Sequence, residues 1–183
     1  MSIRKNDVRI KIVKTETKIY ILAGLATLII LVGGVFFLNR ESQRLEKPLI
    51  GQEVQILGRN HLPEGSTINY NSNPPAGGPH YGVTAHAGIY DKAPQDGYLV
   101  HSLEHGAVIL WYREDLPKED VDKLKEIFNK MGGKTIMAPR KNLDVKIGVS
   151  SWGRVLRLNE IDEKKILDFY EANYNRAPEN API

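Results

Sequence analysis

Histidine is the residue type whose placement most suggests chemistry in this sequence. All five histidines fall within one stretch of 45 residues: His61, His80, His86, His101 and His105. Imidazole is a good ligand for zinc and copper(II), and the chain has no cysteine that could compete as a ligand. The cluster therefore predicts a site for Zn or Cu(II). Copper(I) is disfavoured, because the chain offers no thiolates and no group of methionines.

The densest part of the cluster is His101-Ser102-Leu103-Glu104-His105-Gly106. Residues four apart share a face in a helix and in a strand, but only the helix brings their Cβ atoms to about 5–6 Å. In an extended strand the same atoms would be about 13 Å apart. A chelating pair thus requires a helical turn from Tyr98 to His105, ended by Gly106. We predict metal ligation by His101, His105 and His80, with His61 as a candidate fourth ligand.

The same string matches the pattern His-x-x-Glu-His, which inverzincin proteases use to bind zinc and to supply a general base. Glu104 is therefore the candidate catalytic residue of a zinc-dependent hydrolase. Those enzymes carry the pattern on a long helix, whereas here Gly106 and a strand-like run follow at once. The alternative role for Glu104 is to orient a neighbouring histidine.

Residues 71–97 form a long stretch that is rich in proline and glycine and predicts neither a helix nor a central strand. Irregular loops of this length are usually functional or disordered. The aromatic residues in the stretch favour an ordered loop that its own side chains pack. This loop supports an alternative function, a non-metal binding module for cell-envelope glycan, peptide or a partner protein. Its candidate binding residues are Asn71, Asn73, Tyr81 and Tyr90.

The remaining periodicity predicts an α+β fold with a mostly antiparallel sheet, two main helices and the long ordered loop. Strands are predicted at 107–112, 135–138, 147–152 and 155–158, and helices at 117–131 and 162–174. Asp162 has the residue type and position of an N-cap. Pro178 and Pro182 predict that the C-terminal segment is a frayed tail.

A run of twenty apolar or uncharged residues extends from Ile19 to Leu38. As a helix it would span about 30 Å, the thickness of the hydrocarbon core of a bilayer. The run is longer than the apolar region of a secretory signal peptide, and no convincing cleavage site follows it. It therefore predicts an uncleaved transmembrane helix.

The basic charge of the chain is confined to its beginning. Residues 1–18 carry a net charge of +4, whereas residues 19–183 carry a net charge of −1, which excludes a nucleic-acid-binding domain. The positive-inside rule places the basic end in the cytoplasm. The predicted organisation is a cytoplasmic tail (1–18), a membrane span (19–38), a linker (39–52) and an extracytoplasmic domain (53–179). The protein would then be a single-pass cell-membrane protein with an unidentified cell-envelope partner or ligand.

Several blocks of sequence, taken in order, resemble a known family. The blocks are Asn73–Tyr81, Leu99–Gly106, Ala138-Pro139, Trp152–Arg154 and Arg176–Glu179. Together they resemble the bacterial domain-of-unknown-function family numbered thirty-one-zero-five, over about residues 53–179. The resemblance implies a membrane-anchored protein with no established reaction. It also implies that His80, His101 and His105, and less closely His61, occupy the positions of the family's histidines.

Overall fold

The structure is a computed structural model that describes the backbone of residues 4–183 and the side chains of residues 17–183. The chain divides into two compact units, Met1–Glu46 and Lys47–Ile183. The first unit contains helix α1 (Arg4–Glu46). Most of the predicted basic tail, residues 1–16, lies outside the residues whose side chains are described.

Helix α1 contains the predicted apolar run. Within the described residues, Thr17–Glu46 is the one stretch of helix that is long and apolar enough to cross a membrane. None of its most apolar window is buried, so it is not the core helix of a globular domain. Large apolar side chains such as Leu22, Ile30 and Phe36 are exposed along it. A surface of this kind fits hydrocarbon better than water.

The second unit contains eight strands and three helices. They are β1 (Gln52–Glu53), β2 (His61–Leu62), β3 (His80–Tyr81), β4 (Gly88–Ile89), α2 (Asp96–Glu104), β5 (Val108–Arg113), α3 (Lys118–Phe128), β6 (Thr135–Arg140), β7 (Ile147–Ser151), β8 (Arg154–Leu158) and α4 (Glu163–Asn173). Six strands form one sheet in the order β1-β8-β7-β5-β6-β4, and β2 pairs with β3 in a second. The predicted α+β class is confirmed, with α3 and α4 as its two main helices.

The large sheet is mixed but mostly antiparallel. β8 pairs antiparallel with both β1 and β7, and β7 pairs antiparallel with β5. The two parallel pairs are β5 with β6 and β4 with β6. The chain joins β5 to β6 through α3, and such a helical crossover is what two parallel neighbours require.

Strand β5 lies at the centre of the sheet and is buried on both faces. Val108 and Leu110 pack with α3 and α4 in one apolar cluster. Ile109 and Trp111 pack in a second cluster that includes Leu99 of α2. Alternate residues of a strand face opposite sides of the sheet, so the two clusters lie on opposite faces of β5. Helix α2 and the long loop therefore cover the face that α3 and α4 leave open.

Helix α4 begins where the sequence predicts it. The carboxylate of Asp162 accepts a hydrogen bond of 3.0 Å from the backbone N–H of Lys165, the N3 position. This backbone hydrogen bond, together with the Lys165 ammonium group, lowers the pKa of Asp162. Ile161 and Ile166 flank the cap; Ile166 is buried in the apolar cluster of α3 and α4, and the partly buried Ile161 packs against that cluster. The predicted N-cap is confirmed.

The prediction of a frayed C-terminal tail is wrong. Helix α4 ends at Asn173, but the segment that follows is held along the end of α2. The N–H of Asn175 donates to Gly106 O at 2.9 Å, and the N–H of Glu179 donates to Glu104 O at 3.1 Å. The last carbonyl groups of a helix have no partner within the helix, so an extended segment can dock against them. Pro178 and Pro182 therefore lie in a docked segment rather than in a loose one.

A buried hydrogen bond joins two central strands of the sheet. The indole Nε1 of Trp111 donates to the hydroxyl oxygen of Ser150 at 2.8 Å, and both residues are fully buried. We expect Ser150→Ala to lower the free energy of unfolding by about 1–3 kcal/mol, because it leaves a buried N–H without an acceptor. Urea unfolding of the full-length protein in detergent micelles measures the effect.

The control for this prediction is Ser66→Ala. The Ser66 hydroxyl donates to Pro63 O at the protein surface, where water can replace it. Its loss is expected to cost less than about 0.5 kcal/mol. Equal stabilities for the two variants would show that the buried bond contributes nothing specific.

Candidate metal centre

Helix α2 carries two of the candidate site residues on one face. His101 and Glu104 are three residues apart, a spacing that places side chains next to each other on a helix. The helix spans Asp96–Glu104, and His105 forms its C-cap. The helical turn that the sequence requires for metal chelation is therefore present.

Three contacts fix the position of α2. At its start, the guanidinium of Arg140 makes two hydrogen bonds to the carboxylate of Asp96, at 2.8 and 3.1 Å. At Gly97 the ring of Tyr81 lies so close that a Cβ atom would come within 2.6 Å of it. Further along, the Ser102 hydroxyl donates to Ala85 O at 3.0 Å. These contacts bind α2 to the sheet and to the long loop.

The short sheet of β2 and β3 supplies the other two histidines. Its parallel register pairs His61 directly with His80, and β3 also packs against α2. The ring centroids of His61, His80 and His101 are 4.7–4.9 Å apart. One ligand atom from each of these residues and one from Glu104 all lie within 4.8 Å of one another. The four residues form a group that could hold a metal ion.

The group has a buried side and an exposed side. His80 is 0% exposed, Glu104 is 1% exposed and His101 is 5% exposed. His61, by contrast, is an exposed residue. The group therefore opens to solvent at the position of His61.

His80 is held in one orientation by its backbone surroundings. Its Nδ1 lies 2.8 Å from Gly78 O. A carbonyl oxygen can only accept, so Nδ1 carries the proton of the neutral ring and Nε2 carries the lone pair. Nε2 is buried and lies 2.9 Å from a carboxylate oxygen of Glu104. Two electron-rich atoms at this distance need a proton or a cation between them.

Glu104 is an acceptor for two different partners. Its Oε1 accepts a hydrogen bond from Nε of Arg59, and its Oε2 faces His80. The guanidinium of Arg59 also pairs with Glu179 of the C-terminal segment at 3.1 Å. These three groups, Arg59, Glu104 and Glu179, carry a net charge of −1 when the histidines are neutral. An additional positive charge within the group is therefore favourable.

His101 has a buried nitrogen without a partner. No hydrogen bond reaches its Nδ1 among the described residues. Burial lowers the pKa of His101, and the neighbouring His80, His105 and His61 lower it further against an opposing effect of Glu104. The ring is therefore kept neutral, the form in which imidazole binds a metal.

His105 and His86 do not join the group. The ring of His105 contacts His101 at a centroid distance of 4.5 Å. Its Nδ1, however, lies 2.8 Å from Pro182 O, and its Nε2 lies 3.4 Å from a Glu179 carboxylate oxygen. His86 is exposed in the long loop. The predicted ligands His61, His80 and His101 are thus brought together, with Glu104 rather than His105 as the fourth member.

The candidate binding residues of the long loop bond within the protein. The side chain of Asn71 donates to Gln55 O, and that of Asn73 both donates to Asn142 O and accepts from Arg140. The buried Tyr81 donates to Ser66 O, and Tyr90 donates to His86 O. The structure does not assemble these four side chains into one shared contact. Their hydrogen bonds order the loop instead, in agreement with the prediction of an ordered loop.

Sequence reasoning did not identify Arg59, the Gly78 carbonyl or Glu179 as parts of the site. Arg59 lies two residues before His61, but nothing in that spacing indicates a pair with Glu104. Glu179 is separated from Glu104 by 75 positions in the chain. Contacts of this kind depend on the tertiary fold.

One comparison with known proteins matches the second unit. The model of a family described as "Protein of unknown function (DUF3105)" matches residues 61–182, a segment that includes all five histidines. No curated protein and no solved structure matches the chain.

The lowered pKa of His101 predicts how stability depends on pH. In the metal-free protein, we expect the His101 ring to titrate below its ordinary pKa of about 6.5. Between the folded and unfolded pKa values the unfolded chain binds more protons, so stability falls as pH falls. The contribution of the neutral His101 ring to the free energy of unfolding is complete above about pH 6.5. It is lost as the pH drops toward the pKa of His101 in the folded protein.

The measurement is thermal unfolding of the full-length protein with chelator present, as a function of pH. His101→Gln should reduce the loss of stability on acidification, and His86→Gln should leave it as in the wild type. A His101 imidazole that titrates above its ordinary value by NMR would contradict the expected desolvation.

Proposed function

This chain belongs to the DUF3105 family of proteins of unknown function, and we propose that its second unit binds one divalent transition-metal ion. The ligands are His61, His80 and His101 together with Glu104. The ion is zinc or copper(II), because both accept several imidazole nitrogens and a carboxylate oxygen.

The contact between His80 and Glu104 is the observation that supports the proposal most strongly. The Gly78 carbonyl occupies Nδ1 of His80, which leaves the Nε2 lone pair directed at the carboxylate 2.9 Å away. Histidines that bind metals commonly donate their second N–H to a backbone carbonyl, since that bond fixes the tautomer and the ring orientation. His80 has this arrangement.

The competing explanation is a proton on Nε2 of His80, which would give a buried ion pair with Glu104. That pair would leave Nδ1 of His101 buried and without a partner. A metal ion among the four residues could bind His80, His101 and Glu104 together, because one ligand atom from each lies within 4.8 Å of the others. Satisfaction of all these buried groups by one cation favours metal binding.

The geometry does not favour the hydrolase alternative. In the His-x-x-Glu-His pattern the two histidines bind the metal, but here His105 turns toward Pro182 and Glu179. A general base also needs a free carboxylate oxygen near the reacting water. One oxygen of Glu104 accepts from Arg59, the other faces Nε2 of His80, and the residue is buried.

The non-metal binding module also receives less support than a metal site. Its aromatic candidates would have to present ring faces to a ligand, but Tyr81 is only 4% exposed. The ring of Tyr81 packs against Tyr98 at a centroid distance of 4.9 Å. These contacts stabilise the loop that carries His80.

We further propose that the metal-binding unit lies outside the cytoplasm and stays attached to the membrane through α1. Two observations support this arrangement. The helix can cross a membrane, and residues 1–18 carry the excess of positive charge that marks a cytoplasmic end.

Metal analysis of the full-length protein in detergent micelles tests the proposed site. We expect one bound zinc or copper ion per chain after loading and removal of excess metal. His80→Ala and His101→Ala should abolish stoichiometric binding, because each removes a buried ligand. His86→Ala is the matched control and should retain the ion, since His86 is exposed and outside the group.

The bound metal should also stabilise the fold. At a free metal concentration one hundred times the Kd, stabilisation is about 2.7 kcal/mol. Chelator should thus lower the melting temperature at about pH 7.5, and much less at about pH 5, where protons displace the metal from imidazole. A protein that binds no metal, yet loses stability with Glu104→Gln, would instead support the ion pair.

The proposed orientation is tested by protease added to protoplasts that express the full-length protein. The second unit should be degraded while the cells are intact. A fragment that contains the basic N-terminal residues should be protected. Protection of the second unit until lysis would place it in the cytoplasm and overturn the topology.

A further inference from the structure

We propose that His61 is an exchangeable ligand, and that the metal enters and leaves the site on its side. The inference rests on the proposed metal site and adds how that site works. His80, His101 and Glu104 would retain the ion while His61 gives way to a donor atom of a metal-carrying or metal-accepting partner. The site would then hand over an ion rather than hold a permanent structural one.

The four residues differ sharply in exposure. His80, His101 and Glu104 are each at most 5% exposed, whereas His61 is an exposed residue. An incoming ligand can therefore approach the ion only where His61 lies. Displacement of any of the buried residues would require the packing between α2 and β3 to open.

The residues also differ in how their side chains are oriented. His80 is fixed by Gly78 O at 2.8 Å, and Glu104 is fixed by Arg59. His101 is carried by α2, which Arg140 and Ser102 hold in place. Among the described residues, the ring of His61 has contacts with the rings of His80 and His101 but no hydrogen bond that orients it. Ligands without such an orienting partner bind metals more weakly.

The backbone around His61 is held by few interactions. β2 is two residues long and pairs only with β3, which is equally short. One further backbone bond, from the N–H of His80 to Asn60 O at 3.1 Å, anchors the segment. The neighbouring residues Arg59 and Asn60 are exposed, and Arg59 is tied to the site through its long side chain, which pairs with Glu104 and Glu179. A short, exposed strand can move locally at small cost compared with the buried helix.

The exchange step is a simple ligand substitution. One bond between the metal and a His61 nitrogen breaks, and one bond forms to a nitrogen, oxygen or sulfur donor of the incoming ligand. The metal keeps its charge and no electron is transferred. In this first step the other three protein ligands would still hold the ion. Transfer would be completed when further donor atoms of the incoming ligand replace those three ligands one after another, so that the ion is never released free into solution.

Chelator extraction from the zinc-loaded, full-length protein in detergent micelles tests this mechanism. The rate of zinc loss to EDTA should rise with EDTA concentration, as expected for attack of the chelator on the bound ion. His61→Ala should retain zinc but lose it on the order of 10- to 100-fold faster, because the position it occupied is open. The matched variant His86→Ala should lose zinc at the wild-type rate.

Added imidazole provides a second readout. In His61→Ala, free imidazole should enter the exposed position and slow the loss of zinc toward the wild-type rate. In His80→Ala, imidazole should have no such effect, because that position is fully buried. Rescue of His61→Ala alone would distinguish an exchangeable ligand from general damage to the fold.

The outcomes separate the two proposals. If the wild-type protein takes up no zinc, the proposed metal site fails. If the wild type binds zinc but His61→Ala abolishes binding as completely as His80→Ala, the metal site stands and the exchange mechanism is overturned. An extraction rate that does not depend on EDTA concentration, or that is unchanged in His61→Ala, would also overturn it.

Discussion

The site depends on one buried contact, the 2.9 Å approach of His80 Nε2 to the carboxylate of Glu104. Because the Gly78 carbonyl already takes the N–H of the ring, this contact is stable only with a positive charge between its two partners. Both groups are buried, and a buried charge without a partner is costly, so water cannot replace the missing positive charge. A metal ion or a proton can meet that requirement, and the approach of ligand atoms from His61 and His101 to the same pair favours the metal.

The rest of the second unit serves to bring these groups together. β5 is buried on both faces, so the sheet needs a layer on each side. α3 and α4 provide one layer, and α2 with the long loop provides the other. Arg140 couples α2 to the sheet through Asp96 and contacts the ring of Trp111, while the C-terminal segment docks at the other end of α2. The helix that carries His101 and Glu104 is thereby held at both ends.

Rigidity and access are divided between different parts of the site. The buried residues sit on α2 and on the short strand β3, which is buried against α2, whereas His61 sits on the exposed strand β2. A site made only of exposed ligands would bind the ion weakly, and a site made only of buried ligands would exchange it slowly. The combination is suited to a protein that holds an ion and still releases it to a partner. Attachment to a membrane would keep such an exchange close to the bilayer.

The sequence by itself determined the features that depend on local pattern. The apolar run Ile19–Leu38, the α3 and α4 helices and the Asp162 cap all follow from residue spacing and type. The helical turn around His101 was required by the metal hypothesis rather than indicated by the local pattern, and the structure contains it. Only the tertiary structure decided that Glu104 rather than His105 joins the histidine group, and that the tail is held rather than frayed. Glu104 is the last residue of α2 and His105 is its C-cap, three and four residues after His101. Which of them faces His80 depends on the packing of that helix against β3 and on the distant partners Arg59 and Glu179, and no local pattern encodes such contacts.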